Sequence, residues 1–185
     1  MNAAISTHRL HQVLAHLTAV VRQQGARLGL ATPVGAQGDA HLRALRATAR
    51  ARRAFAAAHP ADQASATRTA ASLRRLGARP DDQLAALLHD LPKGQVGLLP
   101  RVFHVLEGSP VTGQARGPFA GARQTLRLHA SVAPTLAAKL GAPRGTIAIL
   151  HELAREEARS ASPQKTTGVN ARARLLLDLD SGVTR

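Results

Sequence analysis

The chain has 185 residues, a length that suits one domain, and 44% of them are apolar, which is enough for a hydrophobic core. It contains no cysteine, which excludes disulfides and cysteine-ligated zinc or iron–sulfur sites. No run approaches the ~20 apolar residues of a membrane span, and the N-terminal segment lacks the build of a secretory signal, so we expect a cytoplasmic protein without a membrane partner.

The formal charge of +14 is unevenly distributed along the chain. Residues 1–80 hold twelve Arg against two Asp, a net charge of +10, whereas residues 81–185 carry a net charge of +4. Because arginine forks match the geometry of phosphate, the basic half suggests a polyanionic partner. A GC-rich genome, which favours Arg and Ala codons, would produce the same composition without any such partner.

Apolar residues recur at helical spacing along the first half of the chain. Residues 8–30 carry Leu and Val at steps of three and four, the stripe of an amphipathic helix, and residues 31–38 interrupt it. Further helices are predicted at 39–58, from Pro60 to Leu76, at 82–90 with Asp81 or Asp82 as N-cap, and at 98–107.

The second half continues the helical pattern after a Gly- and Pro-containing loop at 108–121. Helices are predicted at 122–140, with a new helix start at Pro134, and at 144–159 and 170–179. No segment alternates convincingly with period two. We therefore expect an all-α fold of about eight helices, with residues 1–38 as an N-terminal helical extension and residues 39–185 as the main domain.

The string LAALLHDLPKG, residues 84–94, places His89 and Asp90 side by side at the end of an apolar helix. Imidazole and carboxylate are both ligands of divalent metals, and the end of a buried helix directs them to one point. Lys93 follows within one turn and offers a cation that could hold a phosphate near such a metal. The sequence therefore predicts a metal site that handles phosphate.

This string resembles the motif of the HD phosphohydrolase superfamily, in which His-Asp is followed two residues later by Lys and Gly. Three further segments are similar to that family's sequence: the helix from Ser65 to Gly77, the segment from Leu128 to Pro143, and the helix containing His151. The C-terminal helix that contains Asp180 resembles the one that carries the family's final aspartate ligand. The resemblance covers about residues 41–182 and implies an HD-like helical bundle.

The resemblance also implies roles for particular residues. The predicted metal ligands are His89, Asp90 and Asp180 for one divalent ion (Mn, Mg, Fe or Zn) and His129 and His151 for a second, while Asp90 and Lys93 are the catalytic residues. Ser65 stands where the family has its first histidine ligand, so the ligand set departs from the pattern there. The implied reaction is metal-assisted hydrolysis of a phosphoester in a nucleotide or nucleic acid.

Structural interpretations remain open for the same residues. His89 could be a buried histidine bonded to Asp180, His129 and His151 could lie at helix ends or on the surface, and Lys93 could interact with a helix C-terminus. The pair Glu156-Glu157 lies in a highly charged helix and is predicted to be solvated.

A second functional hypothesis is a binding module with an HD fold whose catalysis has lapsed. Its Arg-rich N-terminal half would bind nucleic acid or another polyanion through residues predicted to share one helix face, Arg43, Arg46, Arg50 and Arg53. With three Phe and no Trp or Tyr, the chain offers almost no platform for base stacking, so any such binding should be directed at phosphates.

Overall fold

The structure is a computed structural model, and it describes residues 18, 21, 35–107, 114, 116, 117, 119–160, 175, 176, 178 and 179. The predicted all-α class is confirmed, since these residues contain helices and no strand. They form seven α-helices, α1 (Ala36–Ala44), α2 (Ala49–Ala56), α3 (Pro60–Arg75), α4 (Pro80–Leu88), α5 (Leu98–Glu107), α6 (Ala120–Lys139) and α7 (Arg144–Ser160). A 3₁₀ turn at Leu91–Lys93 follows α4.

Helix α4 lies at the centre of the fold. Every residue from Asp82 to Asp90 is buried, which requires partners on all sides of the helix. It packs mainly against α3 and α7, and it also contacts α1 and α2. Leu and Ala supply most of the core, with Ile149 and Phe55, and its largest fully buried side chain is Phe55 on α2. The apolar character of residues 84–88 thus explains why this helix carries the following His-Asp pair into the interior.

One predicted helix, 39–58, is two helices in the structure. The chain ends α1 at Ala44, and Thr48 caps α2 by accepting a hydrogen bond from the Ala51 N–H at 3.1 Å. At the end of α1, the Ala47 N–H donates to the Leu42 carbonyl and the Arg46 N–H donates to the Arg43 carbonyl. This pair of bonds is a Schellman motif. The prediction of one continuous helix was wrong because the Thr48 cap outweighs the helical propensity of the surrounding Arg and Ala residues.

The predicted helix start at Pro134 is also wrong. Helix α6 runs without interruption from Ala120 to Lys139, and Pro134 lies inside it. A proline there removes one backbone hydrogen bond and costs about 3 kcal/mol. Its ring is fully buried, between the buried Ala133 and Ala137 on the same helix, so burial offsets part of that cost.

The N-cap of α4 is Arg79, not Asp81 or Asp82 as predicted. Asp82 at the third helical position accepts a hydrogen bond from the Arg79 N–H at 3.2 Å. Asp81 instead accepts a hydrogen bond from the Thr146 hydroxyl at the start of α7, at 2.8 Å. Asp82 therefore helps to cap its own helix, whereas Asp81 links α4 to α7.

The N-terminal helix predicted at 8–30 and the last helix predicted at 170–179 lie largely outside the described residues. Thr18 and Val21 are helical, as are Leu175, Leu176, Asp178 and Leu179. Helix α1 begins at Ala36, two residues before the predicted boundary at residue 38. Within the described part of the chain, no helix combines the length and apolar character that crossing a bilayer would require.

Candidate metal centre

Three elements bring together a buried cluster of His89, Asp90, Lys93 and His129. His89 is the C-cap of α4, and Asp90 precedes the 3₁₀ turn that ends at Lys93. That turn packs against α6, which contributes His129 from the middle of its length. The side chains of His89 and Asp90 are 9% and 5% exposed, so the pair lies in the interior as the apolar helix predicts.

All four groups meet at a single atom, Asp90 Oδ1. The distances to it are 3.2 Å from His89 Nε2, 3.5 Å from His129 Nε2 and 2.6 Å from Lys93 Nζ. Despite these contacts the oxygen is buried without a hydrogen bond of acceptable geometry. The shortest of the three contacts is the ion pair with the Lys93 ammonium.

Both imidazoles have their tautomer set by the helix to which they belong. His89 Nδ1 lies 2.9 Å from the Ala86 carbonyl, and His129 Nδ1 lies 2.7 Å from the Leu126 carbonyl. Because a carbonyl accepts only, each Nδ1 carries the proton and donates it. In the neutral ring each Nε2 is then an acceptor facing the Asp90 carboxylate. A cation between these Nε2 atoms and the Asp90 carboxylate would stabilise this arrangement.

The lowered pKa of His129 keeps its ring in this neutral form at pH 7. Burial, together with the positive charge of Lys93, lowers the pKa of His129 to about 3, although Asp90 opposes the shift. Burial acts to raise the pKa of Asp90, but the charges of His89, Lys93 and His129 outweigh it and leave that pKa well below its ordinary value. Since His129 is neutral at pH 7, the charges that lower the pKa of Asp90 there are those of His89 and Lys93. An anionic carboxylate and a neutral imidazole are the protonation states that metal ligation requires.

The distances within the cluster suit a shared metal ion. Two ligand atoms bonded to one metal at about 2.1 Å lie about 3.0 Å apart in octahedral geometry and about 3.4 Å apart in tetrahedral geometry. The separations from Asp90 Oδ1 to the two Nε2 atoms are 3.2 and 3.5 Å. As they stand, however, no three His, Asp or Glu side chains of the described residues form a group able to hold a metal ion. Each imidazole thus lies at a ligand-to-ligand distance from the carboxylate, but the Lys93 ammonium lies against the oxygen that such an ion would need.

Two of the other positions named in the predicted ligand set, His151 and Ser65, lie in the described part of the chain. His151 is exposed on α7 and has no described contact with the cluster. Ser65 is half-buried on α3, the helix that packs against α4. Asp180 lies outside the described residues, so its role stays a prediction.

Helix α7 contributes an acid to the site, Glu157, which was predicted to be solvated. Glu157 is half-buried, and its Oε2 lies 4.0 Å from His129 Nε2, while the neighbouring Glu156 is 3% exposed. The prediction that both are solvated was wrong. Leu150 and Leu153 are buried, and steps of three and four residues from Leu153 lead to this pair. That spacing was the signal that places the acids on the inner face of the helix.

A buried ion pair was also missed. Arg101 on α5 binds Asp62 on α3 through two hydrogen bonds of 2.7 Å, and its Nε donates to the Val96 carbonyl at the same distance. Both side chains are 5% exposed. No local motif links residues 39 positions apart, so sequence spacing gave no sign of this pair.

The four predicted nucleic-acid ligands are all exposed, but they do not form one helix face. Arg43 lies on α1, Arg46 in the turn between helices, and Arg50 and Arg53 on α2. Arg43 is paired with Asp39 at 2.8 Å. The prediction of a shared face was wrong for the same reason as that of the continuous helix, because α1 ends at Ala44 and α2 begins only at Ala49.

Comparison with known proteins adds no family to this description. No family model matches the chain, and no curated protein or solved structure matches it either.

Proposed function

We propose that the chain is a divalent-metal-dependent phosphohydrolase of HD type, in which His89, Asp90 and His129 bind the ion. The observation that carries this proposal is the convergence of two imidazole Nε2 atoms on one buried carboxylate oxygen, at 3.2 and 3.5 Å. Each imidazole is oriented by an Nδ1–H bond to its own helix. Since each Nδ1 is already bonded to its own helix, both Nε2 atoms are left to interact with the carboxylate or with an ion bound beside it.

A bound ion would supply Lewis acidity, activating water and neutralising charge on phosphoryl oxygens. The residues of the chain do the rest. The backbone carbonyls of Ala86 and Leu126 fix the orientation of the two rings, and burial keeps His129 neutral so that its lone pair is available at pH 7.

Lys93 has two roles in this proposal. Before the ion binds, its ammonium at 2.6 Å from Asp90 Oδ1 balances the charge of the buried carboxylate. With an ion bound beside the carboxylate, the Lys93 ammonium would be available to a substrate phosphate. Its side chain is 19% exposed, so its end can reach solvent by rotation about its own flexible stem. The substrate class is a phosphoester of a nucleotide or of a nucleic acid end.

The proposed ligand set has three described members, and the resemblance puts Ser65 where the HD family has a further imidazole ligand. Three protein ligands can hold a catalytic ion while water fills the open position. We therefore expect weaker metal affinity and slower hydrolysis than a complete set of ligands would give.

Hydrolysis of bis(p-nitrophenyl) phosphate with added Mn²⁺ tests the proposal. The unmodified protein should release p-nitrophenol only with the metal, Asp90→Ala should abolish the activity, and His151→Ala should retain it because His151 is exposed. Circular dichroism of each variant checks folding. Hydrolysis that survives Asp90→Ala would contradict the assignment, and a metal-loaded protein without activity on mono- or diesters would favour the non-catalytic binding module.

A further inference from the structure

Three of the turns between helices lie together at one end of the bundle. The Thr48 hydroxyl, between α1 and α2, donates to the Leu140 carbonyl, which joins the first turn to the one between α6 and α7. The Thr146 hydroxyl donates to Asp81 and so joins the start of α7 to the start of α4. His41 on α1 is bonded to Gln83 at 2.8 Å, and Gln83 donates to the Ala78 carbonyl. These bonds connect all three turns, which we call the turn end.

The turn end collects exposed cations from segments far apart in sequence. Six of them have no acid partner among the described residues, and all are exposed: Arg46, Arg50, Arg74, Arg75, Lys139 and Arg144. Each of the three turns contributes two. The order of the helices, rather than any single run of sequence, therefore creates this concentration of charge.

The acids at the same end do not offset this charge. Asp39 is paired with Arg43, and Asp82 is buried beside Arg79. Asp81 accepts from Thr146 at the contact between α4 and α7. Each of these acids is thus engaged in the fold, and no acid of the described residues is paired with any of the six exposed cations.

We propose that the turn end is a docking surface for the phosphate backbone of a nucleic acid duplex. Arginine supplies five of the six cations, and its planar fork suits phosphate oxygens. A duplex fits better than a single strand, because single strands are usually held by aromatic stacking. Phe119 is exposed but begins α6, whose far end reaches the turn end about 30 Å away. Leu76 is the one large apolar side chain exposed at a turn here, too little for insertion into a membrane.

The docking surface is separate from the metal centre and does not depend on it. Helix α4 starts at the turn end and finishes at His89, and its nine residues span about 13 Å. His129 is ten residues before Lys139 on α6, about 15 Å along the helix. Loss of activity at the metal centre would therefore leave duplex binding intact, and the two proposals can fail separately.

A matched pair of triple variants tests the surface. Arg50→Ala, Arg75→Ala and Arg144→Ala remove one cation from beside each turn. Arg68→Ala, Arg116→Ala and Arg155→Ala remove the same charge from exposed positions away from the turn end, on α3, before α6 and on α7. The probe is a 20-base-pair DNA duplex of mixed sequence, and affinity is measured from 50 to 200 mM NaCl by fluorescence anisotropy. Circular dichroism establishes that both variants are folded.

The turn-end variant should bind about tenfold more weakly at the lowest salt. Its plot of log K against log salt should be shallower by about 2.7, since each phosphate contact contributes about 0.9. The control variant should match the unmodified protein. Equal weakening of both variants, absence of duplex binding, tighter binding of the single strand, or binding only to vesicles of anionic phospholipid would each overturn the proposal.

Discussion

At the scale of single residues, Asp90 is the group that organises the cluster. Its carboxylate is 5% exposed and remains ionised, with Lys93 at 2.6 Å as its counter-ion. The sequence was sufficient to predict that His89 and Asp90 share one buried point, because an apolar helix leads directly to them. It was not sufficient to predict the involvement of Glu157, because a charged pair in a charged helix has the composition of a solvated face.

The depressed pKa of His129 predicts a specific dependence of stability on pH. Unfolded His129 takes up a proton near pH 6.5, whereas the folded protein resists protonation until about pH 3. Stability is therefore unaffected by this group above pH 6.5 and falls as the pH drops toward 3, by up to about 1.4 kcal/mol per pH unit. Asp90, with its lowered pKa, adds a loss only below its ordinary value of 3.8.

Urea unfolding between pH 7 and 4, in the presence of a chelator, measures this dependence. The variant His129→Gln should lose less stability over that range than the unmodified protein, because it lacks the group that titrates in the unfolded state. All other histidines are shared by the two proteins, so the difference isolates His129. Equal slopes of unfolding free energy against pH would show that His129 is not held neutral by the fold.

At the scale of helices, the residues at which a helix begins or ends were harder to predict than the helix itself. The helices from Pro60 and at 98–107 match the structure because apolar spacing and proline define them. The break at Thr48 was missed because Arg46 adopts a left-handed conformation, with φ of 56°, that glycine adopts in the corresponding turns at Gly77 and Gly141. A residue type that disfavours this conformation gives no sequence signal for it.

This comparison predicts that Arg46→Gly stabilises the protein. Relief of the left-handed strain should exceed the entropy that glycine adds to the unfolded chain, for a net gain of about 0.5–1 kcal/mol. Gly77→Ala should have the opposite effect and cost about 1 kcal/mol, since a Cβ there meets nothing within 4 Å and only the backbone is strained.

Chemical denaturation of both variants provides the measurement, and Arg46→Ala controls for the loss of charge. Arg46→Ala should leave stability nearly unchanged because alanine keeps the strain. If Arg46→Gly were less stable than Arg46→Ala, the left-handed turn could not be the source of strain.

The pair of Asp62 and Arg101 predicts a second effect between helices. Arg101→Met should cost about 3–5 kcal/mol because it leaves the Asp62 carboxylate buried without its partner. The double variant Asp62→Leu with Arg101→Met should recover most of that loss, since it removes both charges. The coupling is read from a double-mutant cycle in urea, and additive losses would show that the pair does not interact.

At the scale of the whole molecule, the all-α class followed directly from the sequence, because helical spacing recurs and period-two alternation does not. The assembly of a basic end from three separate turns did not follow, since it depends on which turns the packing of α4 brings together. The second predicted metal ion stays a prediction: His129 lies in the cluster, and His151 is exposed on α7. The proposed function thus rests on one ion and three described ligands.

Equilibrium dialysis against Mn²⁺, followed by elemental analysis, tests that central claim most directly. The unmodified protein should bind one ion per chain, and His89→Gln and His129→Gln should each lose most of the affinity, whereas His151→Gln should retain it. Circular dichroism of each variant excludes unfolding as the cause. Binding that is absent from the unmodified protein, or that depends equally on His151 and His129, would contradict the account.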